Sequence, residues 1–493
     1  MPAFPSISWA VAGAALLLAV SPVRAESDND STRGTPSEVC CPDTVVYPTG
    51  DAVRDLAAVQ AAVEGGGTVR LKARDTRGRP RAFNFGTFPA GFIEWNPVGP
   101  VSGFVALGLG GEIVPLAFDW GTLYVSVGND VRLVGEVVRG ARTTIEGGTV
   151  PIRNFADRPI PGGGSATVFG LGSVTIEGVR FVGSALQSIY TTQLSVLPEV
   201  RALLEARHER PRFEIRGNEF IEVKPALSYF LDGGQVVPTV WYALGAVTDG
   251  PQGTVRLDDN LLQFAAGRWA AEQRAFEAKN GFDALPEIWE GFSIADLQAH
   301  ADIEDNTVRG VDVGLLVYFS GKDFVRIARN WVELRPEGFV GIGCYANHTY
   351  VVEDNTVKAS GANPDGIILL PSESALGIND SSVRHNRIVL DGSDFGGISL
   401  IGAGARNRFS DNRIEGSGAY ALGLVQDAFA PEGLAEGNRF TGNQLSGFTP
   451  RDSQVYGEGV HVFFDVNTRN NFFAGNPGTV RDLGEGNVFR DGH

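Results

Sequence analysis

"IEDNTV" occupies residues 303–308 and "VEDNTV" residues 352–357, with "IARNWV" at 327–332 between them. The same phrase (apolar, two small or polar residues, Asn, any residue, apolar) recurs as "IRGNEF" (215–220), "LDDNLL" (257–262), "VRHNRI" (383–388), "FSDNRI" (409–414), "AEGNRF" (435–440) and "GEGNVF" (484–489). Its asparagines are Asn218, Asn260, Asn306, Asn330, Asn355, Asn386, Asn412, Asn438 and Asn487, and from Asn306 to Asn438 their spacing is 24, 25, 31, 26 and 26 residues. A period of that length marks a solenoid, in which one repeat cannot bury its apolar face alone and must stack on its neighbours. Leucine-rich frames are absent. Short bursts of Val, Ile and Phe separated by Gly, Asn and Asp read as strands and tight turns. Each period is therefore expected to form one coil of a parallel β-helix. The repeated Asn is expected at one corner of every coil, where stacked side-chain amides can bond along the column as an internal ladder.

A second set of phrases follows the first: "GLLVYF" (314–319), "GIGCYA" (341–346), "GIILLP" (366–371), "GISLIG" (397–402), "ALGLVQ" (421–426) and "GVHVFF" (459–464). Alternation puts Leu315, Ile342, Ile367, Ile398, Leu422 and Val460 on the core face, joined by Val317, Cys344, Leu369, Leu400, Leu424 and Val462. Cys344 then behaves as a small buried hydrophobe. The opposite face carries Leu316, Gly343, Ile368, Ser399, Gly423 and His461, then Tyr318, Tyr345, Leu370, Ile401, Val425 and Phe463. That outer face is mostly apolar and aromatic, so it is either covered or a platform on which sugar rings stack.

With these repeats, the chain resembles the pectin-lyase-like family of right-handed parallel β-helices over roughly residues 50–490. "AAVQAAVEGGGTVRL" (57–71) looks like that family's entry motif, an N-terminal capping helix, a Gly-rich turn and the first strand. Leu56, Val59 and Val63 fall on one helical stripe, and Gly65-Gly66-Gly67 ends it. The fold class expected is thus all-β, a right-handed parallel β-helix with a capping helix and helical insertions near 186–210 and 265–300, where the Asn spacing lengthens to 42 and 46 residues. The resemblance supplies no single activity, because the family includes lyases, hydrolases, epimerases and non-catalytic proteins. Asn363-Pro364-Asp365-Gly366 matches only part of the first motif of its polygalacturonase-like hydrolases. Their Asp pair, Gly-His-Gly and Arg-x-Lys are missing, as is the Tyr-Gly-x-Asp-Pro-His of its epimerases.

Bulk properties narrow the field. The chain of 493 residues has a formal charge of −17, which disfavours nucleic acid, since binding a phosphate backbone relies on Lys and Arg displacing counterions. The same charge repels an anionic polysaccharide at long range unless local arginines or a divalent cation reverse the field. The apolar run Trp9–Val20 followed by Val23-Arg24-Ala25 reads as a signal peptide cleaved after Ala25, which predicts a secreted or periplasmic protein. Residues 26–50 are expected to be a flexible segment and 51–493 the β-helix domain, a monomer with no membrane span. Cys40 and Cys41 are adjacent and cannot readily bond to each other.

Polar groups gather just after the strands of the second set. Lys322, Asp323, His348 and Glu373, on three successive coils, are the catalytic candidates. Tyr318, Tyr345, Arg326 and Asp365 are the substrate-binding candidates, Asp365 having a turn residue as its plainer reading. Asp323 and Glu373, two rungs apart, would stand on the order of 10 Å from one another, near the upper edge of inverting-glycosidase spacing. A lyase would instead use Lys322 or His348 as base, with Arg326 or Arg329 stabilising the enolate-like charge. A solvated rim of loops explains the same residues without chemistry. Calcium is the one cofactor this chemistry suggests, and no metal ligand set is legible. The function expected is an exported β-helix protein that binds a polysaccharide and, as an enzyme, cleaves it by lyase or glycoside hydrolase chemistry. The alternative is a non-catalytic surface or envelope scaffold.

Overall fold

Alternating runs such as Ala301–Glu304, Thr307–Val311 and Val313–Tyr318 are strands, and after the third the chain returns to the first with Phe324–Ala328. In the computed structural model these strands stack in parallel into long sheets of fourteen, eleven and nine strands. The structure describes residues 43–85, 92–95, 103–107, 113–115, 124–125, 131–147, 149–150, 153–159, 165–169, 173–183, 185–186, 212–223, 229–232, 235–238, 244–247, 254–264, 290–295, 300–318, 324–345, 349–371, 376–428, 430–475 and 478–490. One strand per sheet per turn makes a parallel β-helix, the architecture that the Asn period implies.

The core is built by register. In the fourteen-stranded sheet Ile303, Ile327, Val352, Val383, Phe409, Phe440 and Phe473 lie directly above one another, and all are buried. Phe409 and Phe440 stack with ring centroids 4.6 Å apart. In the nine-stranded sheet Leu315, Ile342, Ile367, Ile398 and Leu422 form the expected column. The next member is Val462, with Phe464 following Leu424, and Val460 pairs with Tyr420 instead. This two-residue correction puts Phe463 beside Gly423 and 5.9 Å from the Tyr420 ring, which fills the space that a side chain on Gly423 would need. His461 accordingly does not share the column of Ser399 and Gly423.

The glycines that open the phrases have a packing cause. A Cβ on Gly341 would lie 2.3 Å from Val357 Cγ1 and 2.6 Å from the Gly366 carbonyl oxygen of the next coil. Cys344 is fully buried, and burial pushes its thiol well above the usual range. We therefore expect native protein to resist iodoacetamide at Cys344 and denatured protein to react fully. Mass spectrometry of the Cys344 peptide checks this, and comparable labelling in both states would contradict the packing.

The Asn ladder is present and continuous. The ladder starts at Asn218, whose Oδ1 accepts the Val179 N–H, and from Asn260 through Asn306, Asn330, Asn355, Asn386 and Asn412 to Asn443 each Oδ1 accepts both the backbone N–H and the Nδ2–H of the preceding Asn. The second Nδ2 hydrogen goes to a strand carbonyl, as in Asn355 to Ile327 at 2.8 Å. Each ladder Asn follows a residue with positive φ, including Asp259, Asp305, Arg329, Asp354, His385 and Asp411 at 52–56°.

Asn438 and Asn487, expected in this column, belong to a second one. Ser381, Asn407, Asn438, Asn471 and Asn487 form a parallel ladder. The cause is an extra corner. Between residues 378 and 469 a short four-stranded sheet is added, made of Ile378–Asn379, Gly404–Ala405, Ala435–Glu436 and Thr468–Arg469. The adjoining strands Arg408–Ser410 and Arg439–Thr441 are three residues long, so their two corner asparagines, Asn407 and Asn412 or Asn438 and Asn443, stand five residues apart.

The expected capping helix is Ala52–Glu64, started by Asp51, whose side chain accepts the Arg54 N–H. Val59 and Val63 are buried in the core and Leu56 packs against it. Asp55 ties the helix to its surroundings by accepting from Thr49 N and Oγ, Gly50 N and Asn84 N at 2.7–2.9 Å. Two boundaries differ from expectation. Asp43–Val46, within the stretch read as flexible, is a strand paired with Thr68–Leu71. Glu290–Ala295, within the stretch read as a helical insertion, is a strand of the nine-stranded sheet, with Phe292 and Ile294 buried in the core. Its "GFSI" carries the same Gly-led alternation as the later coils, and burial of Phe292 and Ile294 outweighs the helix-forming residues around it. Residues 187–210, 265–289 and 296–299 of the two expected helical insertions lie outside the described residues, as do the signal segment and Cys40 and Cys41.

Candidate functional site

The outward face of the nine-stranded sheet is where the sequence placed a site, and its described part is a second, buried apolar layer. Val313, Leu316, Val340, Tyr345 and Ile368 form one cluster, with Leu370 and Ile401 packed against it. Ala419, Tyr420, Val425, Val460 and Phe463 form another, joined by Ile401 and Tyr456. Tyr345, a candidate sugar-stacking residue, is buried here, so the covered alternative holds at this position. Tyr318 pairs in register with Tyr345. Lys322, Asp323, His348 and Glu373 lie outside the described residues.

Arg326 belongs to a different surface. It sits on the fourteen-stranded sheet, where its guanidinium reaches Glu353 at 2.7 and 2.9 Å and also pairs with Glu304. Arg384 takes the other oxygen of Glu353 at 2.6 Å, and Arg329 bridges Glu304 and Asp305. The carboxylates hold the Arg326 guanidinium above its ordinary value, Glu353 foremost through its hydrogen bonds. An arginine so engaged braces three coils and has little left with which to neutralise a substrate.

Asp365 is the candidate that the fold brings into a chemical setting. It begins the strand Asp365–Leu369 and points outward between Val340 and Gly396, 5% exposed. Its Oδ1 accepts from Gly396 N at 3.1 Å and from Ser399 Oγ at 3.4 Å, and Ser399 Oγ lies 3.0 Å from Tyr420 Oη. Tyr456 packs edge-on to the Tyr420 ring, with centroids 5.1 Å apart. The Tyr420 ring lies over Gly396 and Gly423, where a Cβ would come within 2.0 and 2.4 Å of it. Burial pushes the Asp365 carboxyl up to about 7, against which the two hydrogen bonds are the smaller effect. Burial likewise holds the Tyr420 and Tyr456 hydroxyls above the usual phenol range. Asp365, linked through Ser399 to Tyr420, can therefore hold a proton near neutral pH.

Ser399, Tyr420 and Tyr456 were not singled out in the sequence, and no local motif marks them, since they come from separate coils. Among the described residues no group of three or more His, Cys, Asp or Glu is arranged to hold a metal ion. Nor is any described helix long and apolar enough to cross a membrane.

No protein-family model and no curated protein matches the chain. Solved structures similar to it include the periplasmic alginate epimerase AlgG, at 12% identity and a TM-score of 0.22, with 86% of this chain and 77% of that one covered. The A-module of the mannuronan C-5 epimerase AlgE6 of Azotobacter vinelandii is similar at 11% identity and a TM-score of 0.25, with 85% and 95% covered. That of AlgE4 from the same organism is similar at 14% and 0.22, with 90% and 100% covered. Likenesses this distant carry no argument about activity, and the chain is described by its own architecture, a parallel β-helix with paired asparagine ladders.

Proposed function

We propose that this protein is an exported, rigid scaffold that binds a polysaccharide along its solenoid. The observation that carries this reading is the contrast between two faces. The described outer columns of the nine-stranded sheet are buried among themselves. The fourteen-stranded sheet instead turns charged and hydroxyl side chains outward on successive coils, Arg132, Thr175, Glu214, Arg256, Asp302 and Arg326 standing in one column. Polar groups repeated at the rung pitch, about 4.8 Å, on a stiff support suit a polymer whose own groups repeat, and a preorganised surface loses little entropy on binding. The N-terminal segment through Ala25 supports export to where such polymers occur.

A second reading, a lyase or hydrolase, is favoured by Asp365, a buried carboxyl able to carry a proton near neutral pH. Lys322 or His348 would then serve as base in a lyase, and Asp323 with Glu373 in a hydrolase. Affinity electrophoresis of the mature protein through gels containing neutral or acidic polysaccharides, with and without calcium, tests both readings. Retardation by at least one polymer, with no new reducing ends or ultraviolet absorbance in solution, is the expected result. Product formation would replace the scaffold by the enzyme, and free migration through every gel would overturn polysaccharide binding.

A further inference from the structure

We propose that the last coils of the fourteen-stranded sheet carry a receptor strip for a carboxylated glycan, centred on Arg408, Arg439 and Arg490. The inference rests on the polysaccharide reading and gives it a place and a ligand charge. Up to Glu353 the outward columns of this sheet are a mosaic in which arginines and carboxylates neutralise each other, as in Arg132–Glu177–Arg216 and Glu304–Arg326–Glu353–Arg384. Beyond Glu353 the composition changes. One column continues as Ser382, Arg408, Arg439, Phe472 and Val488, the other as Arg384, Ser410, Thr441, Ala474 and Arg490. Neither contains a carboxylate.

Arg408, Arg439 and Arg490 are exposed and form no ion pair among the described residues. Arg408 and Arg439 stand side by side on adjacent rungs, with no carboxylate in this part of their own column. The Arg439 and Arg490 guanidiniums lie 5.3 and 5.6 Å from the centroid of the Phe472 ring, which holds them in place without using their N–H donors. Of the corner carboxylates beside the strip, Asp380 is bound to Arg406 at 2.6 Å and also feels the charge of Arg408, Glu436 accepts from Asn470, and Asp411 lies 3.9 Å from His385 Nε2.

A guanidinium presents five donors in a fork that fits a carboxylate through two parallel bonds. Unpaired guanidiniums one rung apart suit carboxylates repeated along a sugar chain, whose ring length is comparable to the rung pitch. The hydroxyls of Ser382, Ser410 and Thr441 beside them can bond ring hydroxyls. A charge of −17 over the whole chain works against the denser phosphates of a nucleic acid, while a local patch suffices for a sparser polyanion.

The test uses polygalacturonate, its methyl ester, dextran and single-stranded DNA as probes, with wild type and an R408Q/R439Q/R490Q variant. Wild type is expected to bind polygalacturonate with an affinity that falls as salt rises, and the methyl ester much more weakly. The triple variant, whose changes are all at exposed positions, should keep its thermal midpoint and lose about tenfold or more in affinity. Lys at the three positions should restore only part of it, because the charge returns without the fork. Undiminished binding by the variant would overturn the strip and leave polysaccharide binding intact at another site. Tighter binding of DNA than of polygalacturonate would overturn the ligand class. Binding of none of the sugars would overturn both this inference and the reading beneath it.

Discussion

Replacing Asn355 by Ala is expected to lower stability by about 3–5 kcal/mol, the largest single loss that the structure predicts. The substitution leaves three buried groups short of a partner. The Asn330 N–H and Nδ2–H both bond Asn355 Oδ1 at 2.9 Å, and the Ile327 carbonyl accepts from Asn355 Nδ2 at 2.8 Å. Each buried polar group deprived of its bond costs roughly 1–3 kcal/mol. Because a solenoid is stabilised by neighbour interfaces, a break in its middle weakens the coils on both sides. Arg70→Ala, which removes an ion pair whose side chains are 49% and 54% exposed, should cost less than about 1 kcal/mol. Chemical denaturation of both variants decides the matter, and equal losses would mean that the ladder is not what holds the corners.

The second large effect depends on pH. Asp365 has a folded value of about 7 against an ordinary 3.8, so between those values the folded state keeps a proton that the unfolded chain releases. Folding then binds a proton, and the contribution of Asp365 to stability falls as pH rises from about 4 through 7. Below that window the group costs nothing, and well above it the cost is about 4 kcal/mol. Asp365→Asn keeps an acceptor for Gly396 N and Ser399 Oγ without the charge, and should remove this part of the decline. Its thermal midpoint is expected to match wild type near pH 4 and to exceed it by several degrees at pH 8. Parallel midpoint curves for the two proteins across pH 4–8 would show that Asp365 is ionised and solvated in the folded state.

What could be read in the sequence and what could not follows from how far each signal reaches along the chain. The ladder asparagines announce themselves because one residue type fills the same corner on every coil, and a run such as "NTV" (306–308) spells ladder, surface and core in consecutive letters. The same economy hid the second ladder, since its asparagines sit in phrases of the same form five residues from the first set. "GVHVFF" fits the strand in either of two frames, and the packing of Phe463 beside Gly423 and Tyr420 selects one. Asp365 reads as a turn residue because its setting is made by Ser399 and Tyr420, 34 and 55 residues away in the chain. Arg326 was legible as a cation and not as a committed one, since Glu304 and Glu353 reach it from the coils on either side.

The positive-φ corners have a use of a different kind. Asp259, Asp305, Arg329, Asp354, His385 and Asp411 precede successive members of one ladder and all face solvent. Their spacing is set by buried amides that none of them contributes, so the marks stand about 4.8 Å apart whatever side chain bears them. The protein is in this sense a graduated rod. Cysteines introduced in turn at these positions, each carrying a fluorophore or spin label, would give a calibrated series of distances along a single line.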